Sequence, residues 1–230
     1  MNEPLIHSQL SDAEFWERAL KETVSAIKDA LLNHGTAHVG LSGGRSPKHL
    51  YELLAQEDLP WDKMTWILLD ERMVPTEDPE SNLGMIQNAL LNQTPDAKVL
   101  SFNTALPQRD AAQEMAKELI RLSDDREPLF DLLILGAGKD GHVASLFEGD
   151  EAITGSAYAS AATAQGYPTE ARLTLGLIAL ENSKKALLLL QGEEKRPVLD
   201  TLKGKGDLPL TALRHLMERV PVTVLTDLKP

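Results

Sequence analysis

The sequence predicts an α/β fold: a doubly wound, mainly parallel sheet with helices on both faces. Three observations carry this. Short apolar runs that suit strands buried on both faces, such as Leu132–Leu135 and Ala186–Leu190, alternate with segments of helical period along the whole chain. Several of these runs end in glycines or charged residues, the composition of ligand-binding turns at the carboxyl ends of strands. The 230 residues suffice for one well-buried core, and no repeat or domain boundary is visible, so residues 1–230 are read as a single domain.

Composition narrows the function. Hydrophobic content of 42% and charged content of 25% are ordinary for a globular protein. A net charge of −12 argues against nucleic acid or an anionic membrane as partner, but not against a small anion held in a local basic pocket. The absence of cysteine excludes disulfides, thiolate metal sites and a Cys nucleophile. The stretch Met1 to His7 lacks a basic region followed by an apolar one, and no apolar run approaches the ~18 residues of a membrane span, so a cytoplasmic protein is expected.

In chain order, residues 11–33 read as an amphipathic helix with Ser11 or Asp12 as cap. Phe15, Trp16, Ala19, Leu20, Val24, Ile27 and Leu31 recur at helical spacing before the stop at Gly35. Ala37–Leu41 is a strand. The turn Ser42-Gly-Gly-Arg-Ser-Pro47 follows, with Ser46 as expected N-cap and Pro47 as first helical residue. Such a turn is either an anion site at a helix N-terminus or an ordinary strand-to-helix connection. Met64–Leu69 is the next strand, and Asp70-Glu71-Arg72 at its end is either a solvated exit or part of a site. Helices are expected over 81–91 and 107–122, the second with Ala111, Ala112, Met115, Leu119 and Ile120 on one face. Residues 149–170, rich in Gly, Ala, Ser and Thr without period, read as a loop or lid. Arg172–Gly176 and Ala186–Leu190 read as strands, and Pro197 starts a helix through Leu202. A short helix around Leu213, Leu216 and Met217 precedes a last strand, Val220–Leu225, where Pro221 indicates an edge or a strand start.

The central stretch is Asp131-Leu-Leu-Ile-Leu-Gly-Ala-Gly-Lys-Asp-Gly-His142, continuing to Phe147. Gly136, Gly138 and Gly141 match the spacing of a dinucleotide-binding loop. Asp140 would set a carboxylate beside a pyrophosphate, Gly149 comes too soon for a crossover helix, and no acid-ended strand follows about twenty residues later. The loop is therefore read as catalytic, with the titratable His142 at a strand end where chemistry is done.

Taken together and in order, these pieces resemble the 6-phosphogluconolactonase family, within the group that includes glucosamine-6-phosphate deaminase. The matching stretches are Leu41–Pro47, Leu69–Pro75, Ser81-Asn82, Leu135–Phe147, Arg172–Thr174 and Gly192–Lys195, within a likeness spanning about 10–227. The deaminase branch carries Leu-Asp-Glu-Tyr and continues after the histidine with Ile-Ala-Phe-Asn-Glu-Pro. This chain has Asp-Glu-Arg and Val-Ala-Ser-Leu-Phe, the lactonase pattern. Arg45 stands where a small residue is usual, and Glu148 where proline is usual.

The resemblance implies a Rossmann-like fold of the sugar-phosphate isomerase type. It also implies hydrolysis of 6-phospho-D-glucono-1,5-lactone in the oxidative pentose phosphate pathway, without cofactor or metal. The implied catalytic residues are His142 as general base, Asp140 orienting it, Asp70 positioning or binding hydroxyls, and Arg72 or loop N–H groups holding the oxyanion. Gly43, Gly44, Arg45, Ser46, Arg172 and Lys195 would hold the phosphate, and Asn82 and Gly138 other parts of the substrate. By itself Lys195 reads as a solvated member of the run Glu193–Arg196. His7, His34, His38, His49 and His215 are read as structural or surface residues. The expected partner is a small sugar-phosphate lactone, and the expected state a monomer or weak homo-oligomer. An amino-sugar-phosphate isomerase or deaminase, and a non-catalytic sugar-phosphate sensor, are the rival functions.

Overall fold

The fold was analysed in a computed structural model that describes residues 3–124 and 126–230; Met1 and Asn2 of the N-terminal stretch lie outside them. In chain order the elements are β1 (Leu5–His7), α1 (Asp12–His34), β2 (Ala37–Leu41), α2 (Arg45–Leu54), β3 (Met64–Leu68) and β4 (Asp70–Arg72). Then come α3 (Asn82–Ala89), β5 (Lys98–Leu100), α4 (Gln108–Asp124), β6 (Leu132–Gly136), α5 (Glu151–Thr154) and β7 (Ala159–Thr163). The chain ends with β8 (Ala171–Leu175), α6 (Leu177–Glu181), β9 (Ala186–Leu190), α7 (Arg196–Leu202), α8 (Thr211–Arg219) and β10 (Val222–Thr226).

Seven strands form one parallel sheet in the order β1-β10-β9-β6-β2-β3-β5. Its apolar runs are continuous because both faces are covered. In β3, Trp66 and Leu68 face the side packed by α1, α2 and α3, while Ile67 and the following Leu69 face the side packed by α4, α7 and α8. Leu132 and Ile134 of β6 alternate with Leu133 and Leu135 in the same way. From β2 the chain first builds outward through β3 and β5, then returns to lay β6 on the other flank of β2. The strand order thus reverses between β2 and β6. In an open α/β sheet, the crevice beyond the carboxyl ends at such a reversal is the place for a ligand.

Local chemistry explains the helix ends. Ser11 caps α1 in a reciprocal box with Glu14, and Gly35 closes it at φ +74°, a left-handed conformation open to glycine. At α2 the structure departs from the expectation. The N-cap is Gly44, at φ +112°, so Ser46 and Pro47 lie inside the first turn. Ile120 is also not core; it is exposed on α4. Pro221 precedes β10, which lies between β1 and β9 rather than at an edge.

The larger departure is a second sheet. β4, β8 and β7 pair antiparallel, so Asp70-Glu71-Arg72 is a strand and residues 149–170 contain α5 and β7 instead of forming one loop. Leu69 joins the two sheets. Its N–H donates to Leu41 O at 3.0 Å in the large sheet, and its carbonyl accepts from Leu175 N at 2.8 Å in the small one. Among the described residues no helix is long and apolar enough to cross a membrane.

Candidate active site

The loops after β2 and β6 meet across the strand-order reversal. Gly136 N–H donates to the Ser42 hydroxyl at 3.1 Å, tying one turn to the other. Beyond them opens a cavity of about 830 Å³. Every residue singled out for the site lines it except Asp140, which stands directly behind His142.

The β6 loop is folded around its histidine. Gly138 N–H donates to His142 O at 2.8 Å, and Gly141 turns at φ +91°. The Nδ1 of His142 lies 2.6 Å from Asp140 Oδ1. A carboxylate only accepts, so Nδ1 carries a proton, and in the neutral imidazole the lone pair is on Nε2. Burial by itself would raise the Asp140 carboxyl. The neighbouring imidazole and its hydrogen bond outweigh that and hold it below its ordinary value. Ala144, also lining the cavity, sits at φ +50°, a strained position for a residue with a Cβ.

The small sheet supplies the opposite wall. Asp70 is buried and accepts from the Ser145 hydroxyl at 2.8 Å and from Asn82 Nδ2 at 3.2 Å. Register places Arg72 directly across from Arg172 on β8. The Nε–H of each guanidinium is buried without a partner, although Arg72 Nη1 donates to Glu80 O. Burial first, and then the Arg72 charge, lower Arg172 against the pull of Asp70, Glu80 and Glu71. Two adjacent guanidinium groups lining one cavity form a receptor for an anion or a developing negative charge.

Glu71 points away from the cavity and organises it from behind. Its carboxylate accepts from the backbone N–H of Arg72 and Asn82 at 2.7 Å each, from Leu83 N–H at 2.7 Å, and from the Ser81 hydroxyl at 3.1 Å. It thereby pins the N-terminus of α3 to β4 and delivers Asn82 to Asp70. Burial nevertheless pushes its carboxyl above the usual range.

The turn into α2 brings Gly43, Gly44, Arg45 and Ser46 to the same cavity, with the unpaired first N–H groups of the helix. A Cβ on Gly43 would come within 2.0 Å of Asn82 Oδ1, so glycine here is required by packing. The Ser46 hydroxyl lies 3.4 Å from Gln191 Oε1. Arg45 is the outermost member: its side chain is 91% exposed and engages Glu194 at 2.5 Å. Lys195 is half-buried on the cavity wall, where burial lowers its ammonium. Glu148, the other departure from the family pattern, accepts from the Thr211 hydroxyl at 2.6 Å. Of the histidines set aside, His38 is buried with Nδ1 3.0 Å from Leu129 O, whereas His49 reaches the cavity rim against Trp16.

Sequence reasoning did not single out Ser145, Tyr167 or Gln191, nor the anchoring work of Glu71. Ser145 lay inside the central stretch but carried no signal of its own. Tyr167 lay in a stretch without period, and only its Gly166-Tyr167-Pro168 turn composition marked it.

Comparison with known proteins agrees with this fold. The family model described as glucosamine-6-phosphate isomerases/6-phosphogluconolactonase matches residues 11–221. A 6-phosphogluconolactonase of Synechocystis sp. is 36% identical over 191 residues, covering 80% of this chain and 78% of that protein. One from Thermotoga maritima is 36% identical over 180 residues, 76% of this chain and 79% of its own length. The crystal structure of 6-phosphogluconolactonase from Thermotoga maritima superposes with a TM-score of 0.84 at 30% identity, covering 97% of this chain and 99% of that one. The 6-phosphogluconolactonase from Trypanosoma cruzi gives 0.86 at 28% identity, over 98% and 95%.

Proposed function

The chain belongs to the glucosamine-6-phosphate isomerase/6-phosphogluconolactonase family, and from that premise we propose that it is a 6-phosphogluconolactonase. It hydrolyses 6-phospho-D-glucono-1,5-lactone to 6-phosphogluconate, with water activated by His142 and with protein groups alone. The observation that carries this reading is the His142–Asp140 pair beside a cavity walled by the Arg72–Arg172 pair and closed by the anion turn of α2.

The steps follow from the atoms available. Water attacks C1 of the lactone while its proton passes to His142 Nε2. Negative charge then gathers on the carbonyl oxygen, and Arg72 or N–H groups of the glycine loop stabilise it. Collapse breaks the C1–O5 bond. The leaving ring oxygen takes the proton back from Nε2, and the product acid ionises to the carboxylate. Asp140 keeps the imidazole in the Nδ1–H form throughout, so the basic nitrogen faces the reacting water. The phosphate sits among Gly43, Gly44, Ser46, Arg172 and Lys195, and these charge-assisted contacts place C1 at the base. Asp70, held by Ser145 and Asn82, is fixed for accepting sugar hydroxyls.

The test is a coupled assay. Glucose 6-phosphate and its dehydrogenase generate the lactone, a 6-phosphogluconate-dependent dehydrogenase reports the product, and spontaneous ring opening is the blank. A rate well above the blank that falls by roughly 10²-fold in His142→Ala, with little change in KM, is expected. A rate equal to the blank, with ammonia released from glucosamine 6-phosphate, would replace the lactonase with the deaminase.

A further inference from the structure

Behind His142 lies a second cavity, of about 700 Å³, whose lining among the described residues includes the carboxylates Asp140, Glu148, Asp150 and Glu151 and no lysine or arginine. Among the same residues only His142, Phe147 and Tyr167 line both this cavity and the one in front. Their rings are in mutual contact. His142 lies 4.5 Å from Phe147 and 5.8 Å from Tyr167, the latter edge-on at 86°, and Phe147 and Tyr167 are 5.8 Å apart. These three rings are the partition between the two spaces.

Tyr167 does more than fill this wall. Asp140 is half-exposed, and a carboxylate two residues from its imidazole is free to rotate unless its second oxygen is also held. That oxygen, Oδ2, lies 3.4 Å from the Tyr167 hydroxyl, while Oδ1 takes the imidazole. Burial, followed by the Asp140 charge, pushes the Tyr167 hydroxyl up, so it remains a donor at neutral pH. The other side of the ring looks toward Arg172, whose guanidinium carbon is 5.9 Å from the ring centroid, at the outer reach of a cation–π contact. The turn carrying Tyr167 is itself anchored. Ala164 N–H donates to Glu170 O at 2.8 Å, and the Thr169 hydroxyl donates to the Glu80 carboxylate.

We propose that Tyr167 is a positioning residue: its hydroxyl holds Asp140 so that His142 keeps its Nδ1–H form, and its ring, edge-on to the imidazole, fixes the imidazole's place in the partition. The kinetic part of this inference rests on the lactonase reading; the structural part does not.

The test uses Tyr167→Phe, which keeps the ring and removes the hydroxyl, read first by ¹⁵N NMR of the histidine side chains in the free protein. Wild type is expected to show His142 in the Nδ1–H tautomer. Asp140→Asn marks the loss of that preference, and Tyr167→Phe falls between the two. Its kcat for the lactone should drop roughly five- to tenfold with KM unchanged, as for loss of one ordinary hydrogen bond, here long and half-exposed. Tyr167→Ala should also raise KM, because Arg172 loses its ring neighbour. His142 nitrogen signals in Tyr167→Phe identical to wild type would overturn the proposal, and so would an unchanged kcat. The spectra require no turnover, so the role of Tyr167 would be tested even in a chain that proved not to be a lactonase.

Discussion

Replacing Gly138 with alanine probes the imidazole–carboxylate pair with a single methyl group. A Cβ at this position would lie 2.2 Å from His142 Cε1, 2.3 Å from its Nδ1 and 2.4 Å from Asp140 Oδ1. Non-bonded carbon atoms settle near ~3.5–4.0 Å, so the ring and the carboxylate must retreat by more than about 1 Å. Gly138 is not among the glycines at positive φ, so alanine fits the backbone and the effect is purely one of space. A misplacement of about 1 Å at a reacting group costs on the order of 10²-fold in rate. The expected outcome is therefore a kcat for the lactone lower by roughly 10²-fold. KM should hold nearly constant, because the anion turn, Arg172 and Lys195 are untouched. The coupled assay measures both, with thermal unfolding confirming an intact fold. A Gly138→Ala protein with kcat within about twofold of wild type would refute the reasoning, since the pair would then not depend on the packing described.

Three more predictions concern other parts of the site. Glu71→Gln replaces two acceptor oxygens, which take four hydrogen bonds, with one acceptor and one donor; we expect a loss of about 3 kcal/mol in denaturant unfolding, and less than about 1 kcal/mol would show that Glu71 does not anchor α3. Lys195→Ala should raise KM about tenfold for the phosphorylated lactone and leave an unphosphorylated lactone unaffected, whereas Arg45→Ala, removing an exposed side chain paired with Glu194, should change KM less than about threefold. An equal effect of Lys195→Ala on both lactones would remove its phosphate contact. Because the Asp140 carboxyl is lowered in the fold, its stabilising contribution is complete above the ordinary carboxylate value and disappears as pH falls through the lowered one. The Tm difference between wild type and Asp140→Asn should accordingly shrink in acid, and a difference independent of pH would contradict the pairing with His142.

The parts of the fold legible in the sequence were those whose burial is two-sided or strongly periodic. β6 and β9 are uninterrupted apolar runs because helices cover both faces, and α1 announces itself through its stripe and its Ser11–Glu14 cap. β1 and β5 were missed because three-residue edge strands leave no period, and Leu5 and Val99 are in fact exposed. The small sheet was missed for a different reason. Asp70-Glu71-Arg72 has the composition of a loop, and Ala159–Thr163 is made mostly of alanine and serine, which carry no strand signal. Each becomes a strand only by pairing with β8, about a hundred residues from the first of them. In the site, the histidine loop and the α2 turn were visible as glycine-rich strand ends. Ser145 and Tyr167 matter through what they touch across the fold, and local sequence holds no trace of that.

The joint at Leu69 divides the site between two units of unequal resistance to opening. The histidine loop and the anion turn are rooted in a seven-stranded sheet with helices on both faces, whereas Arg72, Arg172 and Tyr167 hang from three short strands. Fluctuations that fray the small sheet need not disturb the large one, so the cationic wall is able to come apart and reassemble while the imidazole's own scaffold stays folded. Leu69 is not the small sheet's sole tie, since Glu71 binds it to α3 and Gln108 Nε2 donates to the Ala162 and Arg172 carbonyls, so the lifetime of the assembled cavity wall is set by these contacts acting together. Within that sheet the cavity-facing positions and the anchoring one therefore carry different burdens: Arg72 and Arg172 bear on what the cavity accepts, Glu71 on the fold itself.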